Sequence, residues 1–113
     1  MSASFEFTGK AAHAACLVQP GGDLVAADAN PSRARLVAST LQRLRVDGRV
    51  LVQDARRPAL AAAFDAVLVD APCSGLGSAR RRPELLWRPE KDELSGLARL
   101  QVAIVAGVAD AVR

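Results

Sequence analysis

Three short apolar runs in this chain each end in an aspartate. Leu24 to Ala27 follows the turn residues Pro20, Gly21 and Gly22 and ends at Asp28, Arg49 to Gln53 ends at Asp54, and Phe64 to Val69 ends at Asp70. Runs of this length between turn residues predict buried strands. Between the first two, Leu36, Val37, Leu41 and Leu44 recur at helical spacing. That predicts a helix starting near Pro31, capped by Asn30 or Ser32, and stopping before Asp47 and Gly48. Further on, Leu94, Leu97, Ile104, Val105, Val108 and Val112 predict a last helix that runs to the final residue. At the start, Ser4 to Phe7 reads as extended, Thr8 and Gly9 as a turn, and Ala11 to Val18 as a short helix. Strands alternating with helices predict a parallel, helix-covered sheet of the α/β class. Its strands hand three acids to one edge, where open α/β sheets keep their chemistry.

Composition narrows this picture. A chain of 113 residues, 50% of them apolar, can bury one small core and leaves no room for a second domain. Its 15 Lys and Arg against 12 Asp and Glu leave a net charge of +3, a mild excess compatible with a polyanionic partner. Cys16 and Cys73 are too sparse for a disulfide scaffold and lack metal-ligand spacing, so no metal is expected and a reducing, cytoplasmic setting is. No apolar run reaches the roughly 20 residues of a membrane span, and Met1 to Lys10 has no signal-peptide pattern.

The candidate chemistry centres on Asp70-Ala71-Pro72-Cys73-Ser74-Gly75. This is a poor core segment and a good binding loop, and a thiolate at Cys73 stabilised by arginine charge could act as a nucleophile or transfer a proton. The bland alternative is a small packed cysteine. Asp28 follows Gly9 by 19 residues, near the spacing at which dinucleotide folds place a ribose-binding acid, but the full glycine motif is missing and a helix cap is the competing reading. Asp54 is either a turn residue or a contact to an adenine amino group. Arg80, Arg81, Arg82, Arg88 and Lys91 surround Pro83 and Trp87, with Arg56 and Arg57 on an earlier loop. They read as phosphate contacts or as a solvated basic loop with Trp87 packed beneath it. Cys16 is expected to pack in the core, and His13 to lie exposed on a helix without a catalytic role.

The segment VDAPCSGLGSARRRPELLW resembles the fourth-motif region of the Sun/RsmB-type RNA (cytosine-5) methyltransferases, which use S-adenosylmethionine. Gly9, Lys10 and His13 resemble the end of that family's Pro-Gly-Gly-Lys-Thr cofactor loop and the helix after it. Val25 to Asp28, Gln53 to Ala55 and the LARLQVAIVAGV helix fall in matching order. The resemblance implies a truncated Rossmann-like methyltransferase fold, with Gly9, Lys10, Asp28 and Asp54 on the cofactor. It places Asp70 beside both the methyl donor and a flipped cytosine. It implies addition of a thiolate to carbon 6 of cytosine, methyl transfer to carbon 5, loss of the carbon 5 proton and release of the thiol. Cys73 matches the cysteine that assists release, and Arg80, Arg81, Arg82 and Arg88 would face RNA, with ribosomal RNA the expected substrate.

Two departures limit the match. SASFEFTG stands where the family has Asp-Leu-Cys-Ala-Ala-Pro-Gly-Gly, and the attacking cysteine of a later Thr-Cys-Ser motif is absent. Residues 1–113 therefore read as a partial catalytic domain that ends inside the helix before that motif, and is inactive alone. Omitting the first strand would leave its two neighbours unpaired, so either Ser4 to Phe7 fills the slot or a partner chain does, by self-association through exposed sheet edges. The alternative functions are a non-catalytic RNA-binding or assembly module, and an enzyme in which the Pro-Cys cysteine is itself the nucleophile.

Overall fold

The computed structural model describes residues 3–6, 11–59, 64–74, 80–81 and 91–113. Four parallel strands form one sheet: β1 (Ala3–Glu6), β2 (Asp23–Asp28), β3 (Arg49–Val52) and β4 (Ala66–Leu68), in the order β3-β2-β1-β4. Three helices accompany them among the described residues: α1 (Ala11–Leu17), α2 (Pro31–Arg43) and α3 (Lys91–Ala109). The chain begins in the middle of the sheet, winds outward through β2 and β3, then crosses back to place β4 on the other side of β1. The order of winding thus reverses between β1 and β4, the kind of switch point at which open α/β sheets leave a crevice.

The N-terminal segment fills the central slot itself. β1 pairs in parallel with β2, Ser4 opposite Leu24 and Glu6 opposite Ala26, and with β4, Ser4 opposite Ala66 and Glu6 opposite Leu68. Its position satisfies the backbone of both neighbours, which an empty slot would leave exposed.

Alternation along β2 sorts two cores onto the two faces of the sheet. Leu24 and Ala26 pack with Ala14, Val37 and Leu41 from α1 and α2. On the other face Val25 and Ala27 pack with Ala55, Phe64, Ile104, Val108 and Ala111, largely from α3 and its C-terminal turn. Residues 24–28 are all buried, which is why this strand reads as a continuous apolar run rather than an alternating one.

Helix α2 starts as its cap chemistry predicts: Asn30 Oδ1 accepts the N–H groups of Ser32 at 2.9 Å and Arg33 at 3.2 Å, and proline opens the first turn. Its buried face is Ala34, Val37 and Leu41; Leu36 and Leu44 point outward instead of completing the expected stripe. The helix ends well before Gly48. Arg45 takes a left-handed conformation (φ 55°), its N–H donates to Gln42 O and that of Val46 to Leu41 O, a C-terminal cap built without glycine.

Two further expectations are corrected at the C-terminus. The last helix stops at Ala109 rather than at the final residue, because the chain turns and Val112 forms a parallel bridge with Phe64. Phe64 N–H donates to Ala111 O and Arg113 N–H to Phe64 O, so residues 111–113 pair beside the segment leading into β4 instead of ending within a helix. Along α3, Val105 is 56% exposed, while Ile104 and Val108 hold the core contact. Cys16 is likewise exposed, its thiol donating to Ala12 O, because Ala14 carries the inward face of α1 and position 16 falls on the opposite side.

Candidate active site

The acids at the ends of β2, β3 and β4 meet at one cleft. Asp28, Asp54 and Asp70 line a cavity of about 290 Å³ together with Ala29, Arg33, Ala55, Arg56, Ala71, Pro72, Leu100 and Ile104. Its apolar lining comes from Ala55, Leu100 and Ile104; its polar groups come from the strand ends and from two arginines. A crevice of this composition, mostly apolar with a few convergent charged groups, suits a small organic ligand.

Asp28 is the most constrained of the three. It is 1% exposed, its Oδ1 accepts Asn30 N–H at 2.8 Å, and Arg33 Nε lies 3.1 Å and 3.0 Å from its two oxygens. A buried carboxylate needs such partners to remain in place. Asn30 donates its N–H to Asp28, and its Oδ1 accepts from the N–H groups at the start of α2. Strand end and helix start are thereby locked together.

Asp54 is more open. Arg56 Nε lies 3.0 Å from each of its oxygens, and Arg56 N–H donates to Oδ1 at 2.9 Å. These bonds to Arg56 hold the Asp54 carboxyl at about 2, below its ordinary 3.8. The end of β3 is tied to β2 by Gln53 N–H donating to Asp28 O at 3.2 Å. From the other side α3 presses on the same loop: a Cβ at Gly107 would lie 2.4 Å from Ala55 O and 2.7 Å from Arg56 O. Only glycine permits this approach.

Asp70 and the segment after it form the third wall. Asp70, Ala71 and Ser74 are half-buried and Pro72 and Cys73 are exposed, with the Cys73 thiol free. Gln101 Nε2 donates to Pro72 O at 2.8 Å, fastening the segment to α3.

The structure thus brings Asp28, Asp54 and Asp70 to one cleft, while Cys73, next in sequence to the lining residue Pro72, is exposed and not among the residues that line it. Arg80 and Arg81 are exposed, while Gly9, Lys10, Gly75, Arg82, Trp87 and Arg88 lie outside the described residues; His13 belongs to α1. Sequence reasoning missed Arg33, Gln101 and Gly107, and did not foresee that Arg56, read there as a phosphate contact or part of a solvated basic loop, is the partner of Asp54. The signals were faint: an arginine one helical turn into α2, a glutamine among the apolar positions of α3, and a glycine where that helix has no turn to make.

A parallel sheet in this order, with acids from successive strand ends around one crevice, defines a Rossmann-like fold of the methyltransferase type. Residues 6–113 match the family model described as 16S rRNA methyltransferase RsmB/F, and the chain belongs to that family. It is 44% identical over 84 residues to a Mycobacterium tuberculosis protein named as a methyltransferase, which covers 74% of this chain and 18% of the relative. It is 38% identical over 89 residues to ribosomal RNA small subunit methyltransferase B of Vibrio cholerae, covering 76% of this chain and 20% of the relative. Among solved structures, PH0851 superposes with a TM-score of 0.87 at 28% identity, over 99% of this chain and 27% of that one. NSun6 from Pyrococcus horikoshii, solved with SFG, superposes with a TM-score of 0.79 at 27% identity, over 98% of this chain and 30% of its own. The chain therefore spans about a fifth of the length of the curated relatives it matches.

Proposed function

We propose that these residues form the cofactor-binding and Pro-Cys part of an enzyme that methylates carbon 5 of cytosine in RNA, with small-subunit ribosomal RNA as substrate and S-adenosylmethionine as methyl donor. The observation that carries this reading is the convergence of Asp28, Asp54 and Asp70 on a single cleft. The donor set fits the cofactor. Asp28 offers two oxygens suited to a vicinal diol, Ala55, Leu100 and Ile104 offer an apolar bed for a purine, and Asp54 at the rim accepts from an exocyclic amino group. SFG, held by the Pyrococcus relative, is an analogue of S-adenosylmethionine and supports the same choice.

When bound, S-adenosylmethionine supplies an electrophilic methyl group. The chain's own residues do the rest of what can be assigned to them. Arg33 shares or yields the Asp28 carboxylate as the ribose arrives, since it now lies against both oxygens. Gly9 and Lys10 extend the cofactor contact. Asp70 faces both the donor and the base. Cys73 assists release of the methylated product, and the attack on carbon 6 is made by a second cysteine that these residues do not include. Arg80, Arg81, Arg82 and Arg88 contact the RNA backbone. Such an enzyme works in the cytoplasm, where ribosomal RNA is processed.

The test is a titration of the 113-residue chain with radiolabelled S-adenosylmethionine, followed by incubation with small-subunit ribosomal RNA and nucleoside analysis. Asp54→Ala, at a half-buried position on the cleft, should weaken cofactor binding by about tenfold, the loss expected of one charged hydrogen bond. Folded protein that binds no cofactor but binds RNA in a salt-sensitive way would instead mark a non-catalytic RNA-binding module. Robust 5-methylcytosine formation by the chain alone would overturn the assignment of attack to another cysteine.

A further inference from the structure

We infer that Gln101 is a positioning residue that fixes where Cys73 stands relative to the cleft. The inference rests on the assignment of Cys73 to the substrate-handling loop, and the contact behind it bridges 29 positions of sequence: Gln101 Nε2 to Pro72 O, 2.8 Å.

The carbonyl that Gln101 holds belongs to the peptide unit joining Pro72 to Cys73. That unit is planar, so fixing its oxygen also fixes the nitrogen and Cα of Cys73 in the same plane. The proline ring already restricts φ on the near side of the unit to about −65°. One hydrogen bond then restrains the remaining torsion, ψ of Pro72, and with it the place at which the backbone of Cys73 stands.

The clamp is itself anchored. Gln101 shares a helical face with Ile104 and Val108, 7% and 4% exposed, which are embedded in the core against Val25 and Ala27 of β2. Its neighbours Leu100 and Ile104 line the cleft. The same helix therefore lines the ligand site and holds the backbone that leads into Cys73, so one rigid element carries both.

Backbone 15N relaxation on the full 113-residue chain tests this. In the wild type the order parameter of Cys73 should lie near the ~0.85 of rigid backbone, and in Gln101→Leu it should fall below about 0.6. Val25 and Ala27 should keep their wild-type values. Gln101→Lys, which retains a donor of similar reach, should restore the order at Cys73. The inference is overturned if Cys73 is already mobile in the wild type, if Gln101→Leu leaves it rigid, if β2 loosens equally, or if lysine fails to rescue. Absence of S-adenosylmethionine binding in the separate titration would count against the cofactor assignment and leave the order parameters untouched, so the two failures are distinguishable.

Discussion

Alanine placed at two glycines of α3 should move stability in opposite directions. At Gly107 the new Cβ would sit 2.4 Å from Ala55 O, 2.7 Å from Arg56 O and 2.8 Å from Arg56 C. All three are backbone atoms, so no side chain can swing aside, and separations of about 3.5 Å are needed for favourable contact. Helix or loop must shift by about 1 Å, and overpacking of this kind costs about 2–3 kcal/mol. Replacing glycine by alanine within a helix returns about 1 kcal/mol. The net loss is about 1–2 kcal/mol, or a fall in Tm of roughly 5–10 °C for a domain of this size. At Gly96 nothing lies within 4 Å of the added Cβ, so only the helix preference remains and Gly96→Ala should raise Tm by a few degrees. Calorimetry on both variants decides the matter. A Gly107→Ala protein as stable as wild type would refute the close approach of α3 to the Asp54 loop.

Three other outcomes follow from the geometry. Arg45→Gly should stabilise the protein by up to about 1 kcal/mol in urea denaturation, since the left-handed cap of α2 strains any residue with a Cβ. Asn30→Ala should cost about 1 kcal/mol, with Asn30→Ser nearly neutral, because the cap bonds to Ser32 and Arg33 are lost only in the first. Arg56→Ala should return the Asp54 titration, followed by carboxyl NMR, from about 2 toward 3.8. The sign follows from the depressed value: the Asp54–Arg56 pair contributes stability above pH ~4 and loses it as pH falls through about 2, weakly because both groups are exposed.

Much of this arrangement was legible from pattern alone. The apolar runs before Asp28, Asp54 and Asp70 became parallel strands, the first of them uninterrupted because β2 is buried on both faces, and Asn30 with Pro31 announced the start of α2. The misreadings came from interactions that periodicity does not encode. α2 stops before Asp47 and Gly48 as expected, but its left-handed cap at Arg45 left no mark in the sequence pattern. The bridge between Val112 and Phe64 stops α3, because pairing beside β4 competes with one more helical turn. The pairs Arg33–Asp28 and Arg56–Asp54 and the bond from Gln101 to Pro72 depend on side-chain directions and on which elements meet, and spacing carries neither.

The three acids stand on different strand ends, and Asp28, Asp54 and Asp70 become neighbours only when the chain winds outward and crosses back. No short stretch of the unfolded polymer carries the cleft. A small molecule that touches all three recognises the native state alone, so occupancy and folding are linked equilibria. At a concentration 100 times its dissociation constant such a ligand deepens the native well by about 2.7 kcal/mol, a fraction of total stability large enough that melting temperature becomes a gauge of ligand concentration.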